Sequence, residues 1–271
     1  LSSHPYDNFW SFYPFIKQCV IEKTFFGEYE MRITVSNVAY TMDNTKILNG
    51  ISCSFSKGIT YVVGNNGAGK TTLLKLLATA LQPEYGKINY SFLVRDKQIG
   101  TYRKNLDIEE IRKIIGFLPQ HFTGHLDMTV GRYVKYIAYH KGVPREFIKK
   151  TVAHWLKESE LTQLKRRKIK HLSGGQRQKV GLIQALINLP RICILDEPFE
   201  GLDMKERSYF QSILQRLAYH SIVIISTHLI DELQQSSEDT LLYLNEGKVT
   251  YFGDLRVLDT IKKELRKTGI D

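Results

Sequence analysis

The sequence is short of cysteine and has no long apolar run, and each shortage excludes a class of protein. Cys19, Cys53 and Cys193 are odd in number and show no Cys-x-x-Cys spacing, so neither a disulfide framework nor a cysteine zinc site is indicated and a reducing compartment fits. No stretch approaches the ~18–20 apolar residues needed to cross a bilayer. The first residues lack the basic-then-apolar order of a secretory signal, so the chain is expected to stay in the cytosol unless a partner holds it at the membrane. No internal repeat or low-complexity tract is present. Acidic residues are also in deficit: 38 Lys and Arg against 28 Asp and Glu leave a net charge of +10. That balance suits an anionic partner such as nucleotide, nucleic acid or the inner membrane face, and charge alone does not choose among them.

What is there is enough for a full-sized core, because 271 residues of which 42% are hydrophobic make one globular domain, or one domain with a subdomain. Residues 1–30 differ from the rest by crowding Phe9, Trp10, Phe12, Tyr13, Phe15, Phe25, Phe26 and Tyr29 into a short stretch, which reads as an appendage. Over 255–271, Leu255, Leu258, Ile261 and Leu265 form a helical stripe among basic residues, which predicts a C-terminal surface helix.

Between these ends the hydrophobic period alternates between strand and helix. Met31 to Tyr40 and Thr45 to Phe55 alternate as strands, and Gly58 to Val63 is a short apolar run that reads as a buried strand. The spacing of Leu73, Leu74, Leu76, Leu77 and Leu81 predicts a helix over 71–81. Val130 to His140, Arg145 to Glu158 and Gly175 to Ile187 are further helices, giving a helical region over about 121–187. The all-apolar runs Ile192 to Leu195 and Ile222 to Ile225 read as central strands of a mostly parallel sheet covered on both faces. The class is α/β.

Two motifs carry chemistry. Gly64, Asn65, Asn66, Gly67, Ala68, Gly69, Lys70 and Thr71 fit G-x-x-x-x-G-K-[ST], followed by Thr72. Lying between a buried strand and an apolar helix, such a loop points backbone N–H groups and the helix N-terminus at a polyphosphate. Lys70 is expected to reach the β and γ phosphates, and the Thr71 hydroxyl to ligate Mg²⁺. Asp196 and Glu197 end a second apolar strand. Asp196 is expected to hold Mg²⁺ through water and Glu197 to act as general base or to orient the attacking water.

Leu172, Ser173, Gly174, Gly175 and Gln176 spell a pentapeptide that resembles the signature motif of ATP-binding cassette (ABC) ATPases. Around it Tyr40 resembles the aromatic that stacks on adenine, Gln120 the Q-loop glutamine, Asp203 the D-loop aspartate and His228 the switch histidine. The likeness spans about 31–254. It implies a P-loop NTPase core with a mostly parallel sheet, an antiparallel β subdomain and a helical subdomain. It further implies ATP and Mg²⁺ as ligands, the metal being met by Thr71, Gln120 and Asp196. Glu197, His228 and Gln120 are then the catalytic group, and Ser173, Gly174, Gly175 and Asp203 act on ATP held by a second ATPase subunit, a homodimer being expected with a heterodimer as the alternative.

The basic run Lys165 to Lys170 stands where many exporters with fused membrane regions carry a Glu- and Gly-containing segment. The resemblance is therefore to cassettes of drug, peptide or polysaccharide export systems whose permease subunits are separate membrane proteins. It places the chain peripherally on the cytoplasmic face of the cell membrane. Nucleic acid is not expected as a partner, since no long coiled coil separates Lys70 from Asp196 and the chain has one phosphate loop and one signature. The absence of Asn-Lys-x-Asp sets aside a GTPase.

Overall fold

The computed structural model describes residues 30–96, 100–122, 124–228 and 239–255. The expected aromatic appendage and the expected C-terminal helix beyond Leu255 lie outside the described residues. The strands are β1 (Met31–Met42), β2 (Thr45–Phe55), β3 (Gly58–Val63), β4 (Tyr85–Asp96), β5 (Gly100–Asn105), β6 (Ile115–Leu118), β7 (Ile192–Asp196), β8 (Ile222–Ser226), β9 (Thr240–Asn245) and β10 (Lys248–Asp254). The helices are α1 (Lys70–Leu77), α2 (Ile108–Ile114), α3 (Val130–His140), α4 (Arg145–Glu158), α5 (Gly174–Leu186) and α6 (Met204–Ala218).

The strands form two sheets. An antiparallel one runs β2-β1-β4-β5, and a six-stranded one runs β10-β9-β3-β8-β7-β6 with β10 alone antiparallel to its neighbour. The architecture is thus an α/β P-loop fold with an antiparallel β subdomain and helices packed about a mostly parallel sheet.

The apolar runs of β7 and β8 bury every residue, and alternate side chains serve two cores. Ile192, Ile194, Ile222 and Ile224 face the core shared with α1 and the antiparallel sheet. Cys193, Leu195, Val223 and Ile225 face the core shared with α3 to α6. A strand covered on both faces has no polar side, which is why these segments read as unbroken apolar runs. Burial pushes the Cys193 thiol well above its ordinary range, as suits an inert packing residue.

α3 and α4 start and stop where the sequence pattern predicts. α1 is shorter than expected: Ala78 closes it, Thr79 turns left-handed at φ 59°, and Leu81 N–H returns to the Lys75 carbonyl, leaving Leu81 packed from outside the helix. Three helices begin with reciprocal side-chain caps, Asp107 with Glu110, Ser173 with Gln176 and Asp203 with Glu206. Each pair satisfies N–H groups that a helix start leaves without partners. Among the described residues no helix is long and apolar enough to cross a membrane.

Candidate functional site

Parallel strands present their C-terminal ends along one edge, where ligands of open α/β sheets bind. Because β8 lies between β3 and β7, that edge carries in sequence the loop 64–69 after β3, Thr227 and His228 after β8, Asp196 and Glu197 at the end of β7, and Gln120 after β6. Leu118 of β6 is level with Leu195 of β7, so Gln120 and Asp196 leave the sheet at similar heights.

The loop is shaped by its neighbours as well as by its own turn. Gly64 has φ 156°, and a Cβ there would fall 2.1 Å from the Leu244 carbonyl oxygen of β9, so only glycine lets the loop pass β9. Asn65 accepts the N–H of Ala68 at 3.1 Å, closing the turn. Asn66 and Gly67 are exposed at its crest. α1 has no side-chain cap and no acidic residue in its first turn, so the N–H groups at Lys70, Thr71 and Thr72 are left to an anion. Lys70 donates to the Gly64 and Asn65 carbonyl oxygens at 2.6 and 3.0 Å. Its burial lowers the ammonium pKa, opposed by the negative charges of Glu197 and Asp196.

Asp196 is 1% exposed. Its Oδ1 accepts the Ser226 hydroxyl proton, and its Oδ2 is buried with no hydrogen-bond partner. A buried carboxylate oxygen without a donor is costly, and a cation relieves that cost. The Asp196 carboxylate suits Mg²⁺, which is held by one or two carboxylates and completes its shell with phosphate and water, and Thr71 and Gln120 lie at the same edge of the sheet. Among the described residues no group of three or more His, Cys, Asp or Glu is assembled as a metal cage.

Glu197 has left-handed backbone, φ 50°. Its N–H donates to Ser226 Oγ at 3.0 Å, and its Oε1 lies 3.4 Å from His228 Nδ1. The histidine is half exposed while the Glu197 carboxylate is mostly covered. Ser226 therefore braces both acidic residues from the neighbouring strand, a role the sequence reading missed; its position at the end of the β8 run was the available signal.

The signature residues form a second group. Leu172 is buried, and Ser173 caps α5, its Oγ accepting the Gln176 N–H at 3.3 Å while Gln176 Oε1 accepts the Ser173 N–H at 3.1 Å. The Ser173 hydroxyl proton is still available to donate. Among the described residues a Cβ on Gly174 would meet nothing within 4 Å, whereas one on Gly175 would lie 2.4 Å from the Gly201 carbonyl oxygen. Asp203 caps α6 through the Glu206 N–H at 2.8 Å. No hydrogen bond or ion pair among the described residues joins Ser173 or Gln176 to the phosphate loop. Tyr40 is half-buried on β1 opposite Leu48, and the Leu48 side chain lies 2.7 Å from where a Gly69 Cβ would be, which sets Tyr40 beside the loop.

The sequence profile described as ABC transporter matches residues 48–200. An uncharacterized ABC transporter ATP-binding protein of Methanocaldococcus jannaschii is 30% identical over 226 residues, covering 83% of this chain and 78% of the relative. The sulfate/thiosulfate import ATP-binding protein CysA of Thermosynechococcus vestitus is 33% identical over 226 residues, covering 82% of this chain and 64% of CysA. Among solved structures, a dimeric post-hydrolysis ATP-binding cassette bound to ADP and Pi is similar, with TM-score 0.68 and 27% identity, covering 83% of this chain and 99% of that one. The profile match, the shared length and the nucleotide loop facing a paired Asp and Glu agree: the chain belongs to the ABC transporter family, as an ATP-binding ATPase cassette.

Proposed function

We propose that this ATP-binding subunit hydrolyses ATP at the β-strand edge described above, pairs through ATP with a second cassette, and drives separate permease subunits on the cytoplasmic face of a membrane. The observation that carries the reading is the meeting of Lys70, Asp196, Glu197 and His228 at one edge, with a capped but open-faced signature turn elsewhere on the same chain.

The mechanism follows from what these residues can do. The loop N–H groups and the start of α1 bind the phosphates, and Lys70 leaves its loop carbonyls to neutralise charge on the β and γ phosphates. Tyr40 supplies an aromatic face for adenine. Thr71, Gln120 and Asp196 would hold Mg²⁺, which when bound neutralises charge on the transferring phosphoryl group. Glu197 accepts a proton from the attacking water or orients it, and His228, in reach of Glu197, contacts the γ-phosphate. ADP and phosphate are the products.

Ser173, Gly174 and Gly175 serve ATP held by the partner cassette, for which a copy of this chain is the proposed occupant. The free space at Gly174 supports this, because nothing among the described residues requires a glycine there. Loss of the γ-phosphate removes the ligand that both half-sites share, so the pair opens, and a ligand with different affinities for two states is what shifts their populations. The Lys165 to Lys170 run, in place of a fused exporter's linking segment, supports separate permease subunits, and export is the proposed direction by resemblance to cassettes of such export systems.

The deciding experiment is purification of the full chain from native membranes in mild detergent, identification of co-purifying proteins, and an ATPase assay on the complex with Ser173→Arg alongside. A polytopic membrane protein, ATP hydrolysis by the wild type, and a variant that binds ATP without pairing are expected. Ribosomes or nucleic acid in place of a membrane protein would overturn the transport reading, and reversed cargo movement in sealed vesicles would overturn export.

A further inference from the structure

The segment from Glu197 to Glu206 is clasped along one face of α5. Gly175 meets the Gly201 carbonyl so closely that a Cβ would stand 2.4 Å from its oxygen. Three residues on, Gln178 donates from Nε2 to the carbonyl oxygens of Glu197 and Pro198, at 3.1 and 3.0 Å. One residue further, Lys179 pairs with Glu206 at 2.5 Å, both side chains largely buried. Positions i, i+3 and i+4 share a helix face, so these contacts form a single seam.

Glu197 is the part of the segment that most needs holding. Its φ of 50° is a conformation that residues with a side chain seldom keep unless their surroundings impose it. On one side its N–H is tied to Ser226 of β8, and on the other its carbonyl is tied to Gln178 of α5. A glutamine amide offers two N–H donors, and here the same nitrogen serves two successive carbonyls. The N-terminus of that same helix is Ser173. The helix that would touch the partner's nucleotide therefore also holds the peptide of this protomer's own base.

We propose that Gln178 is a positioning residue that fixes the Glu197 peptide and passes the seating of α5 on the partner's ATP to the catalytic geometry of its own protomer. The idea rests on the assignment above of Glu197 as base and of Ser173 to the partner's ATP, and it adds a link between the two sites. Neither carboxylate chemistry nor phosphate binding is asked of Gln178 itself; it acts through the backbone of Glu197.

The test uses the full chain, in the complex isolated from membranes, and compares wild type, Gln178→Met, Glu197→Gln and the double variant. Methionine keeps length and volume but cannot donate. Expected for Gln178→Met are a modest fall in melting temperature, since two carbonyls lose their donor, with unchanged ATP affinity, a fall in kcat of about 100-fold, as small misplacement of a reacting group can cause, and a Hill coefficient for ATP approaching one. In the Glu197→Gln background it should add no further loss, since residues acting through one another are not additive. Wild-type kcat and cooperativity in Gln178→Met would overturn the proposal, as would a loss that adds in full to that of Glu197→Gln or one confined to ATP affinity. If the methionine variant does not fold, Gln178→Glu is read by the same criteria, its ionised carboxylate being unable to donate. Full turnover in Glu197→Gln would instead overturn the base assignment, whereas a silent Glu197→Gln beside a fully active Gln178→Met would remove the positioning role alone.

Discussion

The phosphate loop and the signature turn are both helix starts suited to anions, yet they are finished to different degrees within one chain. At the loop, β9 closes against Gly64 and Lys70 lies folded onto the Gly64 and Asn65 carbonyls. Everything that shapes it is internal. At the signature turn one glycine is pressed against Gly201 while its neighbour faces open space, and Ser173 and Gln176 cap only each other. The contrast fits the roles proposed above, in which the first site binds ATP within one chain and the second meets ATP held by a partner cassette.

The strongest way to test that contrast is to silence the first site without unmaking it. Glu197→Gln should lower steady-state turnover by about 10²- to 10⁴-fold, the range of a positioned acid–base group, while nucleotide titration shows ATP affinity retained. Lys70→Ala should weaken ATP binding to the isolated chain by about 10- to 100-fold, the value of a hydrogen bond made by a charged donor; calorimetric titration measures it. Loss of binding from Ser173→Arg on the same scale would erase the distinction between the two sites.

The adjacent glycines sharpen the comparison further. Gly175→Ala forces atoms into the Gly201 carbonyl and should cost about 1–3 kcal/mol of stability, as overpacking does, visible as a lower melting temperature of the chain alone. Gly174→Ala should leave that temperature unchanged and weaken only ATP-dependent pairing, read by light scattering. Equal melting shifts for the two would mean that the open space at Gly174 has no bearing on a partner. The smallest effect is expected at Tyr40: its replacement by Ala should reduce ATP affinity by no more than about tenfold, since aromatic pairs contribute about 0.5–1.5 kcal/mol beyond burial, with GTP affected to a similar extent.

How far the sequence reveals this molecule depends on where each residue's partners lie along the chain. β3, β7 and β8 were legible because burial on both faces leaves uninterrupted apolar runs, and α3 and α4 because one-sided burial leaves a helical period. β5 is exposed along its entire length and carries no such imprint. β4 mixes small, charged and aromatic residues, since its pairing with β1 and β5 is made by backbone groups, which composition does not record. The same division holds in the site. Lys70, Asp196 and Glu197 stand in contiguous motifs, so their placement at one strand edge could be expected from local order. Ser226 and Gln178 act on Glu197 from 29 and 19 residues away, and nothing nearby in the sequence announces either contact. The packing of Gly175 on Gly201 was equally hidden, although the glycine itself was in view.

The left-handed backbone at Glu197 has a consequence for how such a chain drifts over generations. Glycine and asparagine occupy that conformation at less cost, and a bulky L-residue there gives up about 1–2 kcal/mol. Selection for fold stability alone would therefore move the position away from glutamate, and under the proposed role of Glu197 as base, selection for turnover holds it in place. A descendant relieved of hydrolysis, kept for binding or for pairing with an active cassette, should lose this glutamate early and melt at a higher temperature than its active ancestor. With Glu197 as the proposed base, stability and catalysis pull in opposite directions at this one residue.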